Sequence, residues 1–153
     1  IEMARRYSRP IMPGALTPTE VLTAWESGAD FVKVFPAGNM GGPKYIKALK
    51  GPLPQVEMIP TGGVNLETAG EFLKAGAAAV AVGGELVDAK SLKEKNYANI
   101  TAKAKQFLDV IAAARKNRAT VAVILRSVMP TPPAPRWRKG PVLPAPEHLP
   151  PQR

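Results

Sequence analysis

Apolar residues follow two alternating rhythms along the chain: short unbroken runs, and longer stretches with helical spacing. Phe31-Val32-Lys33-Val34-Phe35, β-branched and aromatic and ended by Pro36, predicts a strand buried on both faces. Val56-Glu57-Met58-Ile59, stopped by Pro60, and Ala79-Val80-Ala81-Val82, ended by Gly83-Gly84, predict two more. Arg9-Pro10-Ile11-Met12-Pro13-Gly14 precedes a capped helix and is expected to hold the first strand of the series. Thr17-Pro18-Thr19-Glu20 places a hydroxyl at the N-cap, proline at the first helical position and a carboxylate at N3, which together make a capping box. The helix that starts there carries Val21, Leu22 and Trp25 on one face and stops at Gly28. Gly41-Gly42-Pro43 opens a second helix, through Tyr45, Ile46 and Leu49 to Gly51-Pro52, and Asn65 caps a third that runs to about Ala75 before Gly76. A last helix is expected from about Asn99 to Lys116, with Ile100, Ala104, Phe107, Leu108 and Ile111 on one stripe, covering the outside of the sheet.

Ser27-Gly28-Ala29 before one strand is echoed by Ala75-Gly76-Ala77 before another, and each strand ends in a glycine or proline loop leading to a helix. Repetition of strand, loop and helix implies an α/β fold, a parallel sheet joined by right-handed crossovers, here in four units.

Composition changes this picture at the C-terminal end. With 153 residues and 45% apolar content the chain is in the range of one globular domain with a real core. The net charge of +9 suggests a nucleic-acid partner until its distribution is read. Residues 1–114 hold 13 Lys+Arg against 11 Asp+Glu, whereas residues 115–153 hold 8 against 1, and 9 of the 17 prolines lie in 117–153. The expected division is a folded body over 1–116 and a Pro/Arg-rich, disordered tail over 117–153. Arg115, Arg118, Arg126, Arg136, Arg138 and Lys139 have only Trp137 as an aromatic companion, so non-specific polyanion adhesion is expected rather than specific nucleic-acid recognition. His148, the one histidine, lies among the tail prolines and receives no role. There is no cysteine, and no clustered ligand set suggests a metal. No run approaches the roughly 18 apolar residues of a membrane span, so the expectation is a cytoplasmic protein without membrane association. Beginning at Ile1, the sequence reads as cut from something longer.

Two features carry chemistry. Phe31, Lys33 and Phe35 share one face of their strand, and an ammonium flanked by phenyl rings loses hydration, which favours the neutral amine that attacks a carbonyl. The same pattern also suits a lysine snorkelling from an edge strand. Thr61-Gly62-Gly63 and Gly83-Gly84 follow successive strands, where bare N–H groups can surround a phosphate or carboxylate, although glycine pairs are also ordinary turn punctuation. Barrel enzymes often bind phosphate in the loops after strands seven and eight; if these are those strands, Lys33 lies on strand six.

Gly28-Ala29-Asp30-Phe31-Val32-Lys33-Val34-Phe35-Pro36-Ala37 with Gly41, and Ile59-Pro60-Thr61-Gly62-Gly63, resemble the 2-keto-3-deoxy-6-phosphogluconate and 4-hydroxy-2-oxoglutarate aldolase family. Ile11-Met12-Pro13-Gly14 with Thr17-Pro18, and Val82-Gly83-Gly84, support the match, which extends from about Pro10 to Arg115. The resemblance implies a (β/α)8 TIM-barrel fold, represented by about four C-terminal β/α units and a final helix. It implies Schiff-base chemistry without a cofactor on a 2-keto acid, in a homotrimer. Lys33 would form the imine, with Phe35, Thr61, Gly62 and Gly63 against the substrate and Gly62, Gly63, Gly83 and Gly84 holding phosphate.

Departures from the family pattern bear on this. Val34 replaces a leucine or phenylalanine, an apolar exchange of little consequence. Glu85 stands where a serine often helps bind phosphate, and a carboxylate there repels it. The family's first four strands, with the glutamate that acts as general acid/base, have no counterpart. Glu57, the one acid inside a strand, lies toward the entry end and is expected to be a solvated charge. The competing reading is a non-catalytic half barrel that binds phosphate or a partner.

Overall fold

The computed structural model describes residues 1–126, with side chains through Lys116. Its centre is a parallel sheet of three short strands, β1 (Gly14–Ala15), β2 (Val32–Val34) and β3 (Met58–Pro60), in the order β1-β2-β3. Helix α1 (Glu2–Arg6) precedes the sheet, α2 (Pro18–Glu26) joins β1 to β2, and α3 (Pro43–Lys50) joins β2 to β3. After β3 come α4 (Leu66–Lys74), α5 (Ala89–Lys93) and α6 (Tyr97–Arg126).

The helix ends form as their residues dictate. Thr17 accepts from the Glu20 N–H while the Glu20 carboxylate accepts from the Thr17 N–H, completing the capping box of α2. Asn65 and Thr68 make the reciprocal pair at α4. Gly28 and Gly76 leave their helices at φ +92° and +109°, a backbone region that side chains disfavour.

The register sets two faces. Val34 pairs with Ala15 and Pro60, and Val32 with Met58; these residues are all buried, under the helices, together with Val21, Ile46, Val56 and Phe72. Lys33 pairs with Gly14 and Ile59, and this opposite face is open, with Phe35 53% and Met12 54% exposed. The central run is therefore buried on one face, not both. In a closed barrel the second face looks inward, and three strands do not enclose it.

Ala79–Val82 forms only an isolated bridge, Ala81 to Thr61, instead of a fourth strand. Ala78 N–H bonds the Met58 carbonyl and Ala81 N–H the Pro60 carbonyl, so three residues on one side oppose two on the other. The extra residue displaces the chain from ladder register, as in a bulge.

α6 begins at Tyr97 and continues to Arg126, beyond the expected end at Lys116 and past the start of the expected tail; residues 127–153 lie outside the described part. Its contact stripe is also rotated from expectation. Phe107 and Ala114 are buried with Val110 packed beside them, whereas Leu108 is 65% exposed. Val110 and Ala114 lie 3.4 and 3.9 Å from where a Cβ on Gly70 would stand, so the missing side chain lets α6 sit close on α4. α5, which sequence periodicity does not signal, is tied to α6 through Asp88. That carboxylate accepts from Ser91 N–H and Oγ and from Lys103 Nζ at 2.8–2.9 Å, and Asn99 Nδ2 donates to the buried Ser91 Oγ.

Candidate active site

The C-terminal ends of the strands gather the residues singled out from sequence. Lys33 occupies the central strand, with its N–H on the Pro13 carbonyl at 2.9 Å. Its half-buried side chain lines a cavity of about 270 Å³ with Gly14, Ala15, Leu16, Glu20 and Phe35. Gly14, directly beside it in the ladder, has open space where a Cβ would be, so that side of the lysine is uncovered. The phenyl rings do not seal it either. Lys33 Nζ lies 5.1 Å from the centre of the Phe35 ring, in the range where the negative π face attracts an ammonium, and that ring is itself half exposed.

On the β3 side, Thr61 N–H bonds the Val34 carbonyl, and the Thr61 and Gly62 carbonyls accept from Ala37 and Gly38 N–H. These bonds lock the Thr61-Gly62-Gly63 loop to the turn after β2. The Phe35 ring lies against Gly62, 3.2 Å from where its Cβ would stand, and Gly63 meets Gly38 backbone to backbone. Gly62 and Gly63 have φ of +81° and +71°, and their N–H groups donate no hydrogen bond among the described residues. The Thr61–Ala81 bridge carries Gly83-Gly84 to the same end of the sheet, where both glycines are open and neither N–H donates among the described residues. Successive left-handed or turning residues with bare N–H groups form a concavity suited to an anion.

The two doubtful acids lie elsewhere. Glu57 is exposed and does not line the Lys33 cavity. Glu85 lines a separate groove with Asn65, Glu67, Lys103 and Phe107. The acid that does line the Lys33 cavity is Glu20, which sequence reading identifies only as a helix cap. Its Oε2 accepts from both Leu16 and Thr17 N–H at 2.8 Å. The Thr17 backbone bond first, then that of Leu16, hold its carboxyl below the usual range. Tyr45 Oη donates to the Leu16 carbonyl, so the peptide between cavity and cap is held from both sides. The signal available in sequence was the capping box itself, which turns the N3 carboxylate back over the strand end. A larger cavity, about 880 Å³, lies at the opposite end of the strands among Arg5, Arg9, Trp25 and Asp30, and contains none of these residues.

A lysine on the central strand of a parallel β/α sheet, beside glycine loops at the C-terminal strand ends, defines part of a TIM-barrel aldolase fold. The KDPG and KHG aldolase family model matches residues 1–103, and the chain belongs to that family. It is 32% identical over 111 residues to the 2-dehydro-3-deoxy-phosphogluconate aldolase of Haemophilus influenzae, covering 72% of this chain and 52% of that one. It is 35% identical over 112 residues to the 2-dehydro-3-deoxy-6-phosphogalactonate aldolase of Escherichia coli K12, covering 72% and 54%. In structure it matches the KDPG aldolase of Legionella pneumophila with pyruvate captured as a covalent carbinolamine, at a TM-score of 0.58 and 32% identity over 67% of this chain and 48% of that one. The chain thus spans about half the length of the relatives it matches. Among the described residues no helix is long and apolar enough to cross a membrane.

Proposed function

We propose that this chain carries the imine-forming half of a class I aldolase that cleaves 2-keto-3-deoxy-6-phosphogluconate to pyruvate and glyceraldehyde 3-phosphate, 4-hydroxy-2-oxoglutarate to pyruvate and glyoxylate, or both. The observation that carries it is Lys33, fixed on the central strand and facing the cavity between Glu20 and Phe35. Neutral Lys33 attacks the C2 ketone, water leaves, and the protonated imine becomes an electron sink. Loss of the C4 hydroxyl proton breaks the C3–C4 bond, the electrons enter an enamine, and hydrolysis releases pyruvate. The bare N–H groups of Gly62 and Gly63 receive the substrate's anionic groups beside Thr61 and Phe35, and those of Gly83 and Gly84 add to the phosphate site. Glu85 faces its own groove, which lessens the repulsion its position in sequence suggested. A homotrimer is the proposed assembly, on family grounds.

Pyruvate with borohydride tests the reading. One pyruvate-derived mass should appear on Lys33, and Lys33→Ala should abolish it. Labelling spread over surface lysines would favour the alternative, a half barrel that binds phosphate or a partner without chemistry.

A further inference from the structure

On the β1 side of the Lys33 cavity, the backbone groups nearest the strand end are already spoken for. Alternation along β1 puts Gly14 and Leu16 on the face of Lys33 and buries Ala15 on the other, and half-buried Leu16 lines the cavity just past the strand. Both polar groups of Leu16 are engaged. Its N–H bonds the Glu20 carboxylate, which also takes the Thr17 N–H and hydroxyl, and its carbonyl accepts from Tyr45 Oη of α3. The Ala15 carbonyl before it accepts from Phe35 N–H. What Leu16 offers a bound molecule is therefore its isobutyl side chain. The β3 side is the opposite case, because the Gly62 and Gly63 N–H groups donate to nothing among the described residues.

This asymmetry orients a 2-keto acid held through C2 on Lys33. Its carboxylate is drawn to the bare N–H groups and repelled by ionised Glu20, so C1 lies on the β3 side. C2 is trigonal in both the ketone and the imine, so C3 leaves on the other side, against Leu16. We propose that Leu16 determines specificity at C3, where its side chain accepts a CH2 or CH3 group and leaves a hydroxyl without a partner, and that Tyr45 is the positioning residue that holds the Leu16 peptide and keeps its carbonyl occupied. This rests on the reading of Lys33 as the nucleophile, and it narrows the substrate class to 2-keto acids with no oxygen on C3. A hydroxyl placed there gives up water for an apolar surface and regains no bond.

Pyruvate and 3-hydroxypyruvate differ only in that hydroxyl, and borohydride trapping of each at Lys33 of the full chain tests the proposal. Rates are taken relative to trapping on free Nα-acetyl-lysine, which removes the intrinsic reactivity of the two ketones. The parent chain should favour pyruvate roughly tenfold. Tyr45→Phe keeps the ring but frees the Leu16 carbonyl to accept, and it should narrow that preference about threefold or more. Leu16→Asn, which puts a hydrogen-bonding amide in the wall, should narrow it as far or reverse it. Loss of packing alone would lower both rates together and leave their ratio unmoved. An unmoved ratio in Leu16→Asn overturns the role of Leu16, and in Tyr45→Phe that of Tyr45. A parent that takes both keto acids equally overturns the proposal while leaving Lys33 as the nucleophile. Failure of the parent to label at Lys33 with either overturns both readings.

Discussion

Gly63 and Gly84 occupy loops of the same kind at the same end of the sheet, yet they should answer substitution differently. An added Cβ at Gly63 would stand 2.8 Å from the Gly38 Cα, with backbone on both sides and φ at +71°, so neither partner can yield cheaply. Gly63→Ala should cost about 1–3 kcal/mol of stability in urea unfolding. Gly84 has nothing within 4 Å, and Gly84→Ala should leave the unfolding midpoint unmoved. If Gly84 contributes to phosphate binding, its variant should weaken binding of inorganic phosphate alone. Sequence cannot separate the two glycines, because what distinguishes them is the proximity of Gly38, 25 positions earlier in the chain. Lys33 could be singled out because alternation fixes its face; the place of Glu20 beside its cavity could not, because the capping box accounts for that residue completely before any cavity is known.

Elements with strong local signals were legible, and those set by long-range partners were not. α2, α3 and α4 form where their caps and glycines place them, since capping is satisfied within a few residues. The strands are shorter than their apolar runs, and Ala79–Val82 keeps only a bridge, because strand extent depends on a neighbour's register. α5 escaped notice because its stability comes from one charged network and not from an apolar stripe. That network sets a pH dependence. Lys103 first, then Ser91, hold the Asp88 carboxyl far below its ordinary value, so the unfolded state binds the proton more readily. The stabilisation is full above the ordinary aspartate range near 4 and is lost only as pH falls from there toward the depressed value. Asp88→Asn should therefore raise amide exchange across Ala89–Lys93 at neutral pH, and it should remove the acid dependence of that exchange. Equal exchange in the parent and variant at pH 7 would show that Lys103 contributes nothing there.

At the scale of the molecule the sheet is unfinished on two sides. β1 pairs only with β2, its outer edge has no partner among the described residues, and the face bearing Phe35 and Met12 stands open. Unpaired N–H and C=O groups with adjoining apolar surface are templates for association. A few hundred Å² of such surface at about 25 cal/mol per Å² is worth several kcal/mol, comparable with the whole stability of a small domain. Sedimentation of the isolated chain should show concentration-dependent assembly. A second polypeptide carrying the family's first four strands should suppress that assembly and raise aldol cleavage by about a hundredfold or more. A monodisperse, fully active monomer would contradict the half-barrel reading.

The alternating bonds of the central strand offer a way to watch this. Val32 N–H points to the Glu57 carbonyl on one side, while Lys33 and Phe35 N–H point to the Pro13 and Ala15 carbonyls on the other. Neighbouring amides one residue apart therefore report on different edges of the sheet. When the segment bearing Pro13 through Glu20 lifts away, deuterium should enter at Lys33 and Phe35 while Val32 stays protected. The backbone of the proposed nucleophile is thus a gauge of whether the β1 side of its cavity is in place. Its exchange rate, followed as a polypeptide carrying the family's first four strands is titrated in, should fall in step with the gain of aldol cleavage.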